Sequence, residues 1–319
     1  MSKPTITLLA GGVGGAKAAE GLAASRYADS TAIIGNIADD DEFHGLWVSP
    51  DIDTVIYSLA NQIDRKQGWG RVNESHQVLN ELKAFGEDTW MTLGDLDLAT
   101  HIMRTKLRYE GIRPSVIAQR IAQRHRVSIP ILLPTDDVVQ TQVKTDAGWL
   151  SFQEFFVREQ CHPDVLEVQF EGAKSAQACP ETVQQILQSD VVVIAPSNPI
   201  VSIGAILSVP GIQQAIENTQ AYVIAISPLI NGKTIKGPAD KLLKSAGLSV
   251  DSMGVFHCYE NFLDAMVIDS SDESEELALK NTGLDVLVSQ TFMQSIKDKQ
   301  SLLEQTIDYA LSCKKLRVA

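Results

Sequence analysis

Residues 5–24 constrain the fold more than any other stretch. Residues 5–10 form a short apolar run of strand type. It passes directly into Gly11-Gly12-Val13-Gly14-Gly15-Ala16-Lys17, and a helical run follows to Ala24. A strand, a glycine-rich turn and a helix in immediate succession are the opening unit of an open α/β sheet. Glycine lets the backbone approach an anion closely, and the helix N-terminus supplies free N–H groups. No Gly-Lys-Ser/Thr closes the turn, so it is not a Walker A loop. The spacing also departs from G-x-G-x-x-G. Two readings follow. Gly11, Gly12, Gly14 and Gly15, with Lys17 reaching forward, cradle a phosphate. Alternatively, they only make a tight turn between strand and helix.

The α/β rhythm continues. Residues 31–35 are a second buried-type strand, and Asn36-Ile37-Ala38-Asp39-Asp40-Asp41-Glu42 follows at its carboxyl end. Ligands of open α/β sheets bind beyond that end. Four consecutive acidic side chains there are either a solvated loop or part of a cation site, and Mg²⁺ prefers carboxylate oxygens. His44 reads as structural. After Ser49-Pro50 come Asp51 and Asp53, and then apolar residues at helical spacing to about residue 64. Serine, aspartate and proline are ordinary helix-start residues, so capping is one reading. The other is that one carboxylate faces a ligand hydroxyl or a divalent metal. A second D-x-D, Asp95 and Asp97, opens another helix and carries His101 within it. His101 reads as a hydrogen-bonded structural histidine.

Residues 114–126 predict a helix with Arg120, Arg124 and Arg126 on a solvated or interface face. From residue 131 the pattern turns to strands. Residues 138–145, the turn Asp146-Ala147-Gly148 and residues 149–157 read as a hairpin, with a further strand at 164–170. We therefore expect a β-rich subdomain at about 130–172, inserted into one α/β domain spanning residues 1–319. The rhythm resumes with a helix at 181–188 and a strand at 191–195. Then come the turn Pro196-Ser197-Asn198-Pro199 and an apolar helix at about 201–217. Ser197 and Asn198 thus lie at a second strand end, a natural anion site. Lys233, Lys236 and Lys241 form a local cationic cluster beyond a strand at 222–226, either a surface loop or a phosphate contact. Strands near 265–268 and 284–289 and a helix at about 298–313 complete the chain. Residues 269–276 read as a solvated acidic segment.

The 319 residues, 44% of them hydrophobic, suffice for a large core. A net charge of −13 without a basic patch argues against nucleic acid and anionic membranes as partners. Any phosphate must be held by backbone N–H groups, a few placed cations or a metal. Four scattered cysteines, none at metal-ligand spacing, point to a reduced, cytoplasmic protein. No apolar run approaches ~18 residues, so no transmembrane span is expected.

Taken in order, AGGVGGAK, NIADDDEFHGL, SPDIDTVIY, the GWG around Trp69, LGDLDLATH, LLPTDD, PSNPIVSIGAIL and GPADK resemble the 2-phospho-L-lactate transferase family of deazaflavin coenzyme F-420 biosynthesis. The resemblance spans residues 6 to about 255. It implies a Rossmann-like α/β enzyme with a three-layer core, usually a homodimer. Such an enzyme moves a phospho-acid unit from a guanylated diphosphate donor to the ribityl hydroxyl of the deazaflavin Fo. GMP is released and Mg²⁺ is required. HGL after the acidic run and the GPAD stretch resemble the bacterial, phosphoenolpyruvate-using type. Archaeal members tend to have a basic residue before LGD, where this chain has Thr92. If that position meets Fo, it offers a hydroxyl.

Joining both readings, Asp53 is the expected catalytic and acceptor-binding residue, with Thr92 beside the acceptor. Gly11, Gly12, Gly14, Gly15, Lys17, Ser197 and Asn198 are expected on the donor phosphates. Asp51 and Asp40, or Asp39, are expected on the metal, with Asp53 as an alternative ligand in competition with its acceptor role; Asp95 and Asp97 are second-rank candidates. A related family of non-catalytic nucleotide-sugar-binding regulators shares the glycine loop and the acidic strand end. It usually continues in glycines and serines where this chain has EFHGL. A nicotinamide dehydrogenase would share only the strand–glycine–helix start. Its lone ribose-binding acid at the second strand end is here a run of four.

Overall fold

The structure is a computed structural model describing residues 3–235 and 237–318; of Val318 only the backbone is described. The apolar run after Lys3-Pro4 becomes β1 (Ile6–Ala10), and the glycine turn leads into α1 (Gly12–Ala24). The helix begins within the glycines rather than after them. Next come β2 (Thr31–Gly35) and a hairpin of β3 (Asp41–Phe43) and β4 (Leu46–Val48). Helices α2 (Pro50–Leu59), α3 (Gln77–Ala84), α4 (Asp95–Tyr109) and α5 (Pro114–Arg124) follow. After β5 (Ile131–Leu132) come β6 (Gln140–Thr145), β7 (Gly148–Ser151) and β8 (Glu167–Glu171). The chain continues through α6 (Pro180–Leu187), β9 (Val191–Ile194), α7 (Ala205–Leu207), α8 (Ile212–Asn218) and β10 (Tyr222–Ile226). A small hairpin, β11 (Leu229–Ile230) and β12 (Lys233–Thr234), precedes α9 (Ala239–Ser245) and α10 (Ser252–His257). β13 (Ala265–Asp269), α11 (Glu276–Lys280), β14 (Asp285–Ser289) and α12 (Ile296–Val318) end the fold.

Seven strands form one parallel sheet in the order β14-β13-β10-β9-β1-β2-β5. From β1 the chain steps to β2 and β5 on one side. It later returns to β9 beside β1 and steps the other way. The β1/β9 boundary is therefore the topological switch point, where the crevice of such sheets opens. The strands alternate their buried side chains between two cores. Ile6, Leu8, Ile33 and Val193 pack with α1, α2, α5 and α12 on one face. Leu9, Ile34, Val192 and Ile194 pack with α6, α8 and α10 on the other. Both faces covered is the reason these strands read as continuous apolar runs. The α/β class and three-layer core thus match the expectation.

Several boundaries differ from the sequence reading. The strand at 131–132 was expected to open the β-rich section; instead it pairs with β2 at the edge of the main sheet. The separate antiparallel sheet is β7-β6-β8. The second arm of its hairpin stops at Ser151, and residues 154–158 coil into a helical turn that buries Phe155. The apolar helix expected at 201–217 is broken by Gly211, which sits at φ 95°. Among the described residues no single helix is long and apolar enough to cross a membrane. The bent pair Pro199–Leu207 and Ile212–Asn218 is apolar because it lies in the core, with Ile203, Ile206 and Ile212 fully buried. The acidic segment after β13 is not wholly solvated. Asp269 is buried and accepts from the Ser271 and Thr291 amides, and buried Asp272 accepts from the Asn231 amide.

Candidate active site

A cleft of about 340 Å³ opens at the switch point. Its floor is two loops that touch. The Ser197 hydroxyl accepts from the Gly11 amide at 3.1 Å and donates to the Gly11 carbonyl at 2.8 Å. A Cβ on Gly14 would lie 2.0 Å from the Pro196 carbonyl oxygen, so only glycine allows this approach. Gly11, Gly12, Gly14, Lys17, Ser197 and Asn198 all line the cleft. Gly15 does not. Its place is set by packing, because a Cβ there would meet Ala10 at 2.9 Å. The polar side chains of the second loop are already engaged: Asn198 caps the amides of Ile200 and Val201. What the floor offers an anion is therefore first-turn backbone N–H, chiefly of Val13 and Gly14, with Lys17 one turn on.

The acidic residues divide into four groups. Asp39 and Asp51 line the cleft and are both buried. Burial pushes the Asp39 carboxyl well up, and the neighbouring charge of Asp51 pushes it further. Burial also raises Asp51, against hydrogen bonds from the Asn36 amide (3.0 Å) and the Gly12 N–H. Asp39 Oδ1 has no hydrogen-bond partner. Two dry carboxylates repelling each other, one with an orphaned oxygen, make an all-oxygen donor set that a hard divalent cation would relieve.

Asp40 points elsewhere. It does not line the cleft, and its Oδ2 accepts from Ser49 Oγ at 2.6 Å and Trp47 Nε1 at 3.1 Å. Burial lifts its carboxyl to about 7. The expected metal ligand Asp40 is thus replaced at the cleft wall by Asp39. His44, at φ 52°, and Gly45, at φ 73°, make the two-residue turn of the β3–β4 hairpin and meet no ligand surface.

Asp53 and Asp97 line the cleft with His101. Asp53 is on the first turn of α2, and Asp97, His101 and Arg104 share one face of α4 at i, i+4 and i+7. Arg104 pairs with Asp53 Oδ1, and its other nitrogen bonds His101 Nδ1 at 3.0 Å. A guanidinium only donates, so Nδ1 accepts and the neutral ring carries its proton on Nε2. Nε2 faces Asp97 Oδ2 at 3.4 Å. Asp97 Oδ1 accepts from Tyr57 OH at 2.6 Å, and its backbone N–H is held by Glu74. Burial raises the Asp53 carboxyl, opposed first by the Arg104 charge. Burial also acts on Asp97, but hydrogen bonding from His101 and Tyr57 together with the Arg104 charge outweighs it and holds that carboxyl low. Asp53 Oδ2 is buried and has no hydrogen-bond partner.

Asp53, Asp97 and His101 offer ligand atoms within 4.8 Å of one another. A cation fits poorly among them. One imidazole lone pair is taken by Arg104, the other nitrogen carries hydrogen, and the guanidinium repels a metal. The group reads as a hydrogen-bonded charge network that ends in one free carboxylate oxygen.

Asp95 stands apart. It accepts from the Gln77 and Val78 amides and the Ser75 hydroxyl, capping α3. Thr92 is exposed on the cleft wall, which Met91, Trp69 and Arg71 also line. The β-rich section supplies Phe152, Gln153 and Phe156, and Gln153 donates to the Asp39 carbonyl at 3.0 Å. Of the lysine cluster, Lys241 is committed to the carbonyls of Cys161 and His162 at 2.7 and 3.0 Å. Lys233 is exposed on β12 and does not line the cleft. Lys236 lies outside the described residues. The sequence reading missed Tyr57 and Arg104. The α4 spacing of Asp97, His101 and Arg104 was the available signal.

Comparison with known proteins identifies the family. The chain is 35% identical over 300 residues to a 2-phospho-L-lactate transferase of Methanococcoides burtonii, covering 94% of this chain and 97% of that one. It is 37% identical over 286 residues to a phosphoenolpyruvate transferase of Kitasatospora aureofaciens, covering 88% and 89%. A crystal structure of a upf0052 family member from Bacillus halodurans superposes with a TM-score of 0.63 at 17% identity, over 96% of this chain and all of that one. That likeness speaks to the fold alone. The profile of the family described as 2-phospho-L-lactate transferase CofD matches residues 6–305, and the chain therefore belongs to that family of transferases.

Proposed function

We propose that this enzyme transfers a phosphoenolpyruvyl unit from a guanosine diphosphate-linked donor to the terminal ribityl hydroxyl of Fo, releasing GMP, with a 2-phospho-L-lactyl donor as the second reading. The observation that carries this is one cleft in which a backbone anion floor, a dry carboxylate pair and a carboxylate with a free oxygen meet.

Phosphoryl-group transfer is mostly positioning and charge neutralisation. The glycine floor and Lys17 would bind the donor diphosphate. Asp51 and Asp39 would hold Mg²⁺, which when bound supplies the positive charge that the diphosphate needs. Thr92 and the apolar wall would seat Fo. Asp53 would orient its hydroxyl and accept its proton on Oδ2. The hydroxyl oxygen then bonds to the phosphorus bearing the acid. The bond from that phosphorus to the GMP oxygen breaks, and GMP keeps the electron pair. Arg104 on Asp53 Oδ1 favours this proton-accepting role over metal binding for Asp53.

The enzyme would act as a cytoplasmic homodimer, in keeping with its unpaired thiols and the family's usual state. We read the chain as one α/β domain carrying residues 130–172 as an insertion. The test is to incubate the protein with Fo, Mg²⁺ and enolpyruvyl-, lactyl- or glyceryl-type guanylated donors, measuring GMP and product mass. Fo-dependent GMP release is expected, fastest with the enolpyruvyl donor. Binding of a guanylated ligand without GMP release would instead favour a non-catalytic nucleotide-binding regulator.

A further inference from the structure

We propose that Arg104 is the positioning residue of the transfer step: its guanidinium fixes the Asp53 carboxylate so that one oxygen alone is left for the acceptor hydroxyl. The inference rests on the reading of Asp53 given above. Arg104 is buried and does not line the cleft, so it touches no substrate there. One nitrogen pairs with Asp53 Oδ1. The other reaches His101 Nδ1 at 3.0 Å and the Trp47 carbonyl at 3.5 Å. These partners come from α2, α4 and β4, so the guanidinium ties three elements at one point. A planar guanidinium fork makes these contacts from two separated nitrogens in a fixed geometry; an ammonium has three donors but only one nitrogen to make them from.

The consequence lies on Asp53. With Oδ1 held, rotation of the carboxylate is blocked, and the orphaned Oδ2 is the oxygen that remains. The neighbouring imidazole is fixed as well. Arg104 holds Nδ1 as an acceptor, so His101 directs N–H toward Asp97 and does not compete for Asp53 as a proton donor. Nothing in this arrangement binds a substrate more tightly. It acts only when the hydroxyl must be held in line and lose its proton, so the loss should fall on kcat and not on KM.

The experiment compares wild type, Arg104→Lys, Arg104→Ala and the double variant Asp53→Asn/Arg104→Ala, with Fo, Mg²⁺ and the best guanylated donor. Arg104→Lys should keep the fold and lose at least ~10-fold in kcat, with KM for both substrates within about 2-fold, since oriented attack depends on sub-ångström placement. Added methylguanidinium should restore part of the kcat of Arg104→Ala but none of that of the double variant. The double variant should be no slower than Asp53→Asn alone, as expected of residues acting as one unit. Unchanged kcat in Arg104→Lys, a loss confined to KM, or additive losses in the double variant would each overturn the proposal. If Arg104→Ala is unfolded, Arg104→Lys and the double variant, which leaves no unpaired carboxylate, still decide it. Failure of wild type to release GMP would refute the functional reading; active wild type with an indifferent Arg104→Lys refutes this inference alone.

Discussion

Replacing Asp40 by asparagine should make the metal-free protein more stable at pH 8 and leave it nearly unchanged at pH 4. Asp40 is buried behind the cleft. Ser49 and Trp47 donate to Oδ2, while Oδ1 has no partner. Burial moves its carboxyl from the ordinary 3.8 to about 7. Between those values the folded protein holds a proton that the unfolded chain has lost. Stability from this group is therefore undiminished below pH 4, falls as pH rises to 7, and is flat above. At about 1.4 kcal/mol per pH unit, the limit on that fall is about 4 kcal/mol. Asparagine keeps an oxygen toward Ser49 and Trp47 and has no proton to lose. Its N–H₂ lacks an acceptor, as does the O–H of the protonated Asp40 carboxyl, so the two proteins match at pH 4. The assay is urea unfolding of both proteins in EDTA at pH 4 to 8. The stability difference should grow with pH in favour of Asp40→Asn, most steeply between 5 and 7. A difference independent of pH, or one growing the other way, would refute the reasoning. Mg²⁺ should then stabilise both proteins alike, because Asp39 and not Asp40 faces the cleft. A Mg²⁺ effect lost in Asp40→Asn would return Asp40 to the ligand set.

Three further predictions concern the cleft and the β-rich section beside it. Gly14→Ala would place a methyl 2.0 Å from the Pro196 carbonyl and force the two loops apart. We expect about 1–3 kcal/mol of destabilisation in urea unfolding and roughly a 100-fold loss of turnover, because the floor shifts under the donor. Asp53→Asn should lower kcat by ~10²–10⁴-fold, whereas Asp95→Asn should leave it unchanged, since Asp95 only caps α3; steady-state GMP release distinguishes them. Phe155→Ala should cost about 3–5 kcal/mol, because this fully buried ring joins the β-rich section to Val201 and Leu242; calorimetry should show a single lowered Tm.

Short-range information carried much of the site. The strand, glycine turn and helix of residues 5–24 were legible because apolar runs, glycine and helical spacing are local properties. For the same reason Asp51 and Asp53 could be placed at a helix start. The acidic run 39–42 was legible as a strand end and as a candidate cation site, but which of its carboxylates faces the cleft was not. Adjacent residues point in different directions, and only the packed structure turns Asp39 to the cleft and Asp40 to Ser49 and Trp47. Gly15 looked equivalent to Gly14, yet one packs on Ala10 and the other on the opposite loop.

By itself, then, the chain determined the parallel α/β layering, the glycine loop at its opening and the D-x-D helix starts, since each follows from periodicity and backbone preference within about twenty residues. Tertiary structure decided which polar groups are spent and which are free. Ser197 is spent on Gly11, 186 residues away, and Asp53 Oδ1 on Arg104, 51 residues away. Those pairings depend on where the sheet reverses its order and how α4 packs beside β4. They set which carboxylates are dry, which repel, and which single oxygen of Asp53 is left over.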